Sequence, residues 1–301
     1  MSKKISIKDI ARELNISTTT VSFVINGKSE EMGISPATSS KVMKLIREKN
    51  YTPSNAARFL RTGKSNTIGL IVEDLGNYFF GNVAKVIELE ASNRGYNVFL
   101  SSTDNNPLLA KQLIRKMRNS SVDGLIITPT HGLKDELTRL VNDQIPFVLL
   151  DRLVPGIDAN HVILDNYKGA YTLTRHLIEK GYKKIGFITI VSNMSMMAER
   201  ERGYREAIFN NGMHIDELNI LKLIFDDQSS EGIEKISEFL RSHRDLDALF
   251  FATNYLGVLG LEAMKQVGIE IPKHMGVVSF DDNDLFRLNS PSITVASQPI
   301  Q

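Results

Sequence analysis

The sequence predicts an α/β protein in which a small helix-turn-helix headpiece precedes two doubly wound parallel α/β subdomains. Three observations carry this. The stretch ISIKDIARELNISTTTVSFVIN, from Ile5 to Asn26, has the spacing of two short helices joined by a tight turn. From Thr67 onward, short apolar runs alternate with amphipathic segments, as parallel sheets with crossover helices require. The charge divides at about the same place. Residues 1–65 hold 12 Lys+Arg against 5 Asp+Glu, while the remainder holds 24 against 30.

In the headpiece, Ser6 and Asp9 have the spacing of a capping box. Ile7, Ile10, Ala11 and Leu14 then share one face of the first helix. Asn15 tolerates the left-handed conformation a tight turn needs, and Ile16 plugs the space beneath it. Ser17 caps a second helix that turns Val21, Val24 and Ile25 inward and leaves Thr18, Thr19, Ser22 and Phe23 along the remaining surface. Small hydroxyls at the outward start of a second helix are the layout of a DNA-reading helix; the competing reading is an ordinary helical hairpin. GKSEEMGI, residues 27–34, reads as a loop. Ser35-Pro36 opens a third helix through Lys49, with Val42, Leu45 and Ile46 inward and Tyr51 packed beneath.

Thr52-Pro53 stops the run. SNAARFLRTGKS, residues 54–65, then holds one or two helical turns through Ala56, Ala57 and Leu60, too short to hold alone and predicted to order on a partner. Its GKS is no phosphate loop, because Arg58 stands where a glycine is needed and no strand precedes it. The body reads as strands 67–73, 96–102, 123–128, 145–151, 162–165, 185–191, 220–225, 247–253 and 276–280. Helices are predicted over 79–94, 107–119, 133–143, 167–180, 198–211, 231–242 and 255–267. So many strands, with a connection near 152–161, suggest two sheets.

Ligands of such sheets bind beyond the carboxyl ends of the strands. Polar residues stand there: Glu73, Asp74, Ser101, Asp104, Thr128, Asp151, Arg152, Asn193, Asn254, Asp281 and Asp282, with Arg200 near the mouth. No GxGxxG follows a first strand, so no dinucleotide cofactor is expected. The six histidines show no metal-ligand spacing, there are no cysteines, and Asp281–Asp284 lacks the glycine and distal glutamate of a calcium loop. No nucleophile–base pair points to an enzyme. With no export signal and no run of about 18 apolar residues, a cytoplasmic protein without a membrane span is expected. A basic headpiece on an acidic body is the electrostatic footprint of a nucleic-acid binder.

Taken in this order, IKDIARELNISTTTVSFVIN, NYTPSNAARFLRTGKS, VILDNYKGAYTLTRHLIEKGYKKIGFI, RERGY (200–204), FFATN (250–254) and VVSFDD (277–282) resemble the lactose-repressor (LacI/GalR) family of bacterial transcription regulators, over essentially the whole chain. The resemblance implies a helix-turn-helix domain over 1–52 and a hinge over 53–65. Two periplasmic-binding-protein-like subdomains follow, one of 66–161 with 296–301 and one of 162–295. It implies a homodimeric repressor on a palindromic double-stranded operator, controlled by a small-molecule effector expected to be a carbohydrate; the competing reading is a sugar receptor with no DNA-binding role. The implied DNA contacts are Ser6, Ser17, Thr18, Thr19, Thr20, Ser22, Phe23 and Asn26 in the headpiece, and Asn55, Ala57, Arg58 and Leu60 in the hinge. Leu60 matches the residue that wedges into the central minor groove. The implied effector site comprises Glu73, Tyr78, Phe79, Asp151, Arg200, Asn254 and Asp281. Its carboxylates accept from adjacent hydroxyls, its arginine donates paired bonds, and a ring face covers an apolar sugar face. The competing reading of Asp151 and Asp281 is as turn residues bonding nearby amides, and of Tyr78 and Phe79 as core.

Two departures stand out. Phe23 occupies a position where the family commonly has arginine, which removes a guanine contact worth ~1–3 kcal/mol of discrimination. The family also continues past SQPIQ with another helix on the first subdomain. The given sequence is therefore expected to be a fragment or trimmed, with apolar surface of that subdomain uncovered.

Overall fold

The computed structural model describes residues 5–51, 63–224 and 230–300. It divides into two compact units, residues 1–65 and 66–301.

The first unit holds three helices, α1 (Ile7–Glu13), α2 (Thr18–Ile25) and α3 (Pro36–Glu48). The expected start of α1 is present: the Asp9 amide donates to Ser6 Oγ at 3.3 Å, and Asp9 Oδ2 accepts from the Ser6 amide at 2.9 Å. Asn15 takes φ +53°, and the Ile16 amide donates back to the Ala11 carbonyl at 3.0 Å, which closes the turn. Ser17 caps α2 through the Thr20 amide and Ser35 caps α3 through the Thr38 amide. Ile10, Ala11, Val21, Val24, Val42 and Leu45 form the buried core, with Ile7, Ile16, Ile25, Ile46 and Tyr51 packed around it. Each helix is too short to persist alone, and shared burial of these faces holds them. The hinge residues Asn55, Ala57, Arg58 and Leu60 lie outside the described residues.

The second unit contains two five-stranded parallel sheets. The first is built from β1 (Thr67–Val72), β2 (Asn97–Ser102), β3 (Gly124–Ile127), β4 (Phe147–Leu150) and β5 (Asn160–Val162), in the order β2-β1-β3-β4-β5. Its helices are α4 (Tyr78–Asn93), α5 (Pro107–Asn119) and α6 (Lys134–Asn142). The second sheet comprises β6 (Ile185–Ile190), β7 (Ile220–Leu223), β8 (Ala248–Phe251), β9 (Gly276–Phe280) and β10 (Thr294–Ala296), in the order β10-β9-β8-β6-β7. Its helices are α7 (Asn166–Glu179), α8 (Ser195–Asn210), α9 (Ser230–Ser242), α10 (Asn254–Val267) and α11 (Asp284–Leu288). Read from β7, the second order repeats the first, so each sheet has its own switch point where a crevice opens at the strand ends.

Three local expectations are corrected. Residues 162–165 are not a strand; the strand is β5, Asn160–Val162, and it pairs with β4 in the first sheet. Its residues are exposed and mostly polar, as an edge position permits, so no apolar alternation marks it. The apolar Leu164 beyond it packs against the core of the second lobe. The first lobe thus runs one residue past 161, and Ala296, expected on the first lobe, ends β10 in the second sheet. α8 begins a turn earlier than expected, at Ser195, because no side chain caps its start to mark it. α11 and β10 are too short to leave a periodic signal, although Phe286 is fully buried.

In the second lobe Phe187 stacks on Tyr204 at 4.8 Å between ring centroids and meets Phe250 edge-on at 5.1 Å. The buried Tyr204 hydroxyl donates to the Ile185 carbonyl at 2.7 Å. α8 crosses α7 so closely that a Cβ at Gly203 would lie 2.4 Å from the Tyr167 carbonyl oxygen and 2.8 Å from the Tyr171 nitrogen. Backbone atoms cannot swing aside as a side chain does. Gly203→Ala is therefore expected to force the two helices apart and lower unfolding stability by about 1–3 kcal/mol. Thermal denaturation followed by circular dichroism checks this, and an unchanged midpoint would show that the crossing is not tight.

Candidate functional sites

In the headpiece the side chains expected to face DNA fall into two groups. Ser6, Ser17, Thr20 and Asn26 already hold the helices. Ser6 Oγ donates to Asp9 at 2.6 Å, Ser17 and Thr20 share a hydroxyl contact at 2.8 Å, and Asn26 Nδ2 donates to the Ser22 carbonyl at 2.6 Å. Thr18 and Thr19 are exposed and have no hydrogen-bond partner among the described residues, so their hydroxyls are available. Ser22 and Phe23 are half-buried, and Phe23 is not among the side chains packed on the headpiece core. It leaves an aromatic surface where a guanidinium was the family expectation.

In the body a cleft of about 690 Å³ is lined from both lobes. It brings together six of the seven expected effector residues: Glu73, Phe79 and Asp151 from the first lobe, and Arg200, Asn254 and Asp281 from the second. Tyr78 does not line it. Its hydroxyl instead donates to Asp284 Oδ1 at 3.2 Å, from the start of α4 to the start of α11. Its neighbour Phe79 takes the lining position and sets its ring edge-on to the buried Phe80 at 4.9 Å.

Asp151 and Asp281 occupy equivalent places in the repeated topology. Each follows a strand, β4 and β9, with φ +68° and +65°. Each donates its amide to the neighbouring edge strand, to Val162 at 2.8 Å and Ala296 at 3.0 Å. Aspartate is among the residues that tolerate this left-handed backbone, which turns the carboxylate away from the sheet edge. Among the described residues neither carboxylate caps a nearby amide. Asp281 accepts from Arg200 Nη1 at 3.2 Å and Gln298 Nε2 at 2.5 Å. Asp151 meets Arg152 Nε at 3.4 Å as an ion pair and accepts no hydrogen bond among the described residues.

Arg200 is almost fully buried. Its Nε donates to Asn166 at 2.8 Å, its Nη1 to the Ala252 carbonyl at 2.6 Å, and its plane lies 3.7 Å over the Phe280 ring. Asn254, at the start of α10, donates to the Asp282 carbonyl at 3.3 Å. Opposite, Arg152 is equally buried; it pairs with Glu73 and donates to Asn105 at 2.7 Å. In the sequence Arg152 is visible only as a polar residue at a strand end, and nothing local marks Asn105, Asn166 or Gln298. Their signal is tertiary, since their partners lie 17 to 47 residues away in the chain. A shoulder of Met194, Met196 and Met197, from the first turn of α8, adds an apolar wall.

Desolvation pushes the Asp151 carboxyl up to about 6, against the pull of Arg200 and with a further push from Asp281. Desolvation likewise lowers Arg152 to about 10, assisted by the like charge of Arg200. Among the described residues no group of His, Asp and Glu has the arrangement to hold a metal ion, and no helix is long and apolar enough to cross a membrane.

A carboxyl raised in the folded state binds its proton more tightly there than when unfolded, so stability falls as pH rises from about 4 to about 6. A shift of this size corresponds to roughly 3 kcal/mol. Asp151→Asn is expected to flatten that part of the stability–pH profile, measured by denaturant unfolding at a series of pH values. An unchanged slope would place the titration elsewhere.

Comparison with known proteins gives the chain its family. Residues 6–54 match the family of bacterial regulatory proteins, lacI family, and residues 65–300 match the periplasmic binding proteins and sugar binding domain of LacI family. The HTH-type transcriptional regulator RegA of Clostridium saccharobutylicum is 33% identical over 297 residues, covering 98% of this chain and 87% of that protein. The transcriptional regulator CelR in complex with cellobiose is 26% identical, covers 98% of this chain and 88% of its own, and superposes with a TM-score of 0.69. The lac repressor dimer bound to operator and an anti-inducer shares the fold, with a TM-score of 0.85 at 20% identity over 99% of this chain and 88% of that one. The chain belongs to the lacI family of bacterial regulatory proteins and is a DNA-binding transcriptional repressor, not an enzyme.

Proposed function

We propose that this repressor binds a palindromic operator as a homodimer in the cytoplasm and that a carbohydrate in the interlobe cleft controls its operator affinity. The observation that carries this is the composition of the cleft wall. Asp151 comes from the first lobe, and Arg200, Asn254 and Asp281 come from the second. A ligand touching both sets has a binding free energy that depends on the angle between the lobes, which is what a conformational effector requires. By the same linkage, operator DNA changes effector affinity by the factor by which effector changes operator affinity.

The donor set suits a polyol. Carboxylates accept from adjacent hydroxyls, a guanidinium donates paired bonds to vicinal oxygens, and the Phe79 ring offers an apolar face. The cellobiose held by the related CelR supports a carbohydrate here. In the headpiece the exposed Thr18 and Thr19 stand at the start of α2, the part of a recognition helix that meets base edges in the major groove. Asn55, Ala57, Arg58 and Leu60 supply the hinge contacts, with Leu60 as the minor-groove wedge.

Selection of bound duplexes from a random pool, with and without sugars, tests the whole reading. Thr19→Ala should change which bases are recovered, and an unchanged preference would remove its base-reading role. Arg200→Ala should abolish any sugar response while leaving operator affinity within about twofold, for a repressor relieved by its ligand; a sugar response that survives would take Arg200 out of the effector site. Leu60→Ala should weaken operator binding by about 10-fold or more and leave the salt-dependent affinity for random duplex nearly intact. An equal loss on both would count against the wedge.

A further inference from the structure

The charges of the cleft wall do not balance. Three carboxylates, Glu73, Asp151 and Asp281, face two guanidiniums, Arg152 and Arg200, and all five side chains are buried or nearly so. Arg200 gives Nε to Asn166 and Nη1 to the Ala252 carbonyl and Asp281, and its Nη2 makes no hydrogen bond among the described residues. Arg152 pairs through Nη2 with Glu73 and gives Nη1 to Asn105, while its buried Nε, which makes no hydrogen bond, stands in an ion pair with Asp151 at 3.4 Å. Asp151 is left as a buried carboxylate that accepts no hydrogen bond among the described residues. On the rim, the exposed Asp104 and Lys134 are opposite in sign and solvated, and His131 is exposed, so the outer lining does not reverse the balance inside.

We propose that Glu73 sets the charge preference of the cleft: by pairing with the Arg152 guanidinium it leaves the wall with one buried carboxylate in excess, so the cleft accepts a neutral hydroxyl-rich ligand and turns away the same ligand carrying a phosphate or carboxylate. This rests on the reading of the cleft as an effector site. Glu73 acts through Arg152 and is a positioning residue. A buried carboxylate without donors is stabilised by ligand hydroxyls, whereas an added anion meets a like charge with little water to screen it. If Glu73 lost its charge, two carboxylates would face two guanidiniums, and the Arg152 fork would be free to turn toward an anionic group.

The test is calorimetric titration of the full chain with sugars matched except in charge: glucose with glucose 6-phosphate and glucuronate, ribose with ribose 5-phosphate, and cellobiose with cellobiuronate. Wild type is expected to bind at least one neutral member, and its acidic counterparts at least roughly tenfold more weakly. Glu73→Gln should narrow that ratio by about tenfold, and Glu73→Asp should restore it. A structural role alone would weaken neutral and acidic members equally, and that result would overturn the proposal. So would an acidic sugar that binds wild type as well as its neutral partner, or a set in which nothing binds. Should Glu73→Gln fail to fold, Asp151→Asn decides the matter, since removing the excess carboxylate must raise the relative affinity for the acidic members. Operator titrations with the same sugars separate the two readings. A neutral sugar that binds without changing operator affinity removes effector control and leaves the charge selection standing.

Discussion

The buried Arg200 guanidinium is the group on which the rest of the cleft depends. A charge removed from water is costly unless partners hold it, and here it is held from four directions: Asn166 at the start of α7, the Ala252 carbonyl after β8, Asp281 after β9 and the Phe280 ring beneath. One side chain on α8 thereby ties the start of α7 to the ends of β8 and β9. The close crossing of α7 and α8 at Gly203 is part of the same arrangement, because it sets the depth at which α8 delivers Arg200 to the wall. The first lobe repeats the device with Arg152, held by Glu73 and Asn105. Two lobes of one topology thus present two buried guanidiniums and two left-handed aspartates to one cavity.

The headpiece follows a different economy. Its core is small, and its helix starts are closed by serines whose hydroxyls meet first-turn amides. Every capping hydroxyl is used locally, which leaves Thr18 and Thr19 as the exposed polar side chains at the start of α2. Division of the same residue type between structure and recognition is possible because an N-cap and the first turn beyond it point in different directions. Half-buried Phe23, outside the core cluster, gives this recognition helix an aromatic surface in place of a cationic fork.

Much of this architecture is legible in the chain because it rests on local rules. Ser6 with Asp9, Asn15 and Ser35-Pro36 mark caps and turns through contacts within a few residues, and the structure contains them. The buried strands β1, β6, β8 and β9 are near-continuous apolar runs, as strands covered on both faces must be. β5, α11 and β10 escaped because three to five residues at an edge need neither periodicity nor apolar character. Tyr78 was misplaced for a related reason. Adjacent aromatics at a helix start diverge by a large rotation, and only the packed structure shows that Phe79 turns into the cleft while Tyr78 reaches Asp284.

The sequence by itself determined the headpiece helices and their caps, the alternation that makes two parallel sheets, and the polar residues standing at strand ends. All of these follow from interactions between near neighbours or from hydrophobic period. Only the tertiary structure decided which of those polar residues answer one another. The pairing of Glu73 with Arg152, the hold of Asn166 on Arg200 and the pairing of Arg200 with Asp281 arise between segments 34 to 81 residues apart. Burial then makes those pairings consequential: in water each charge would be screened, and in the cleft the uneven count of carboxylates and guanidiniums becomes a property of the site.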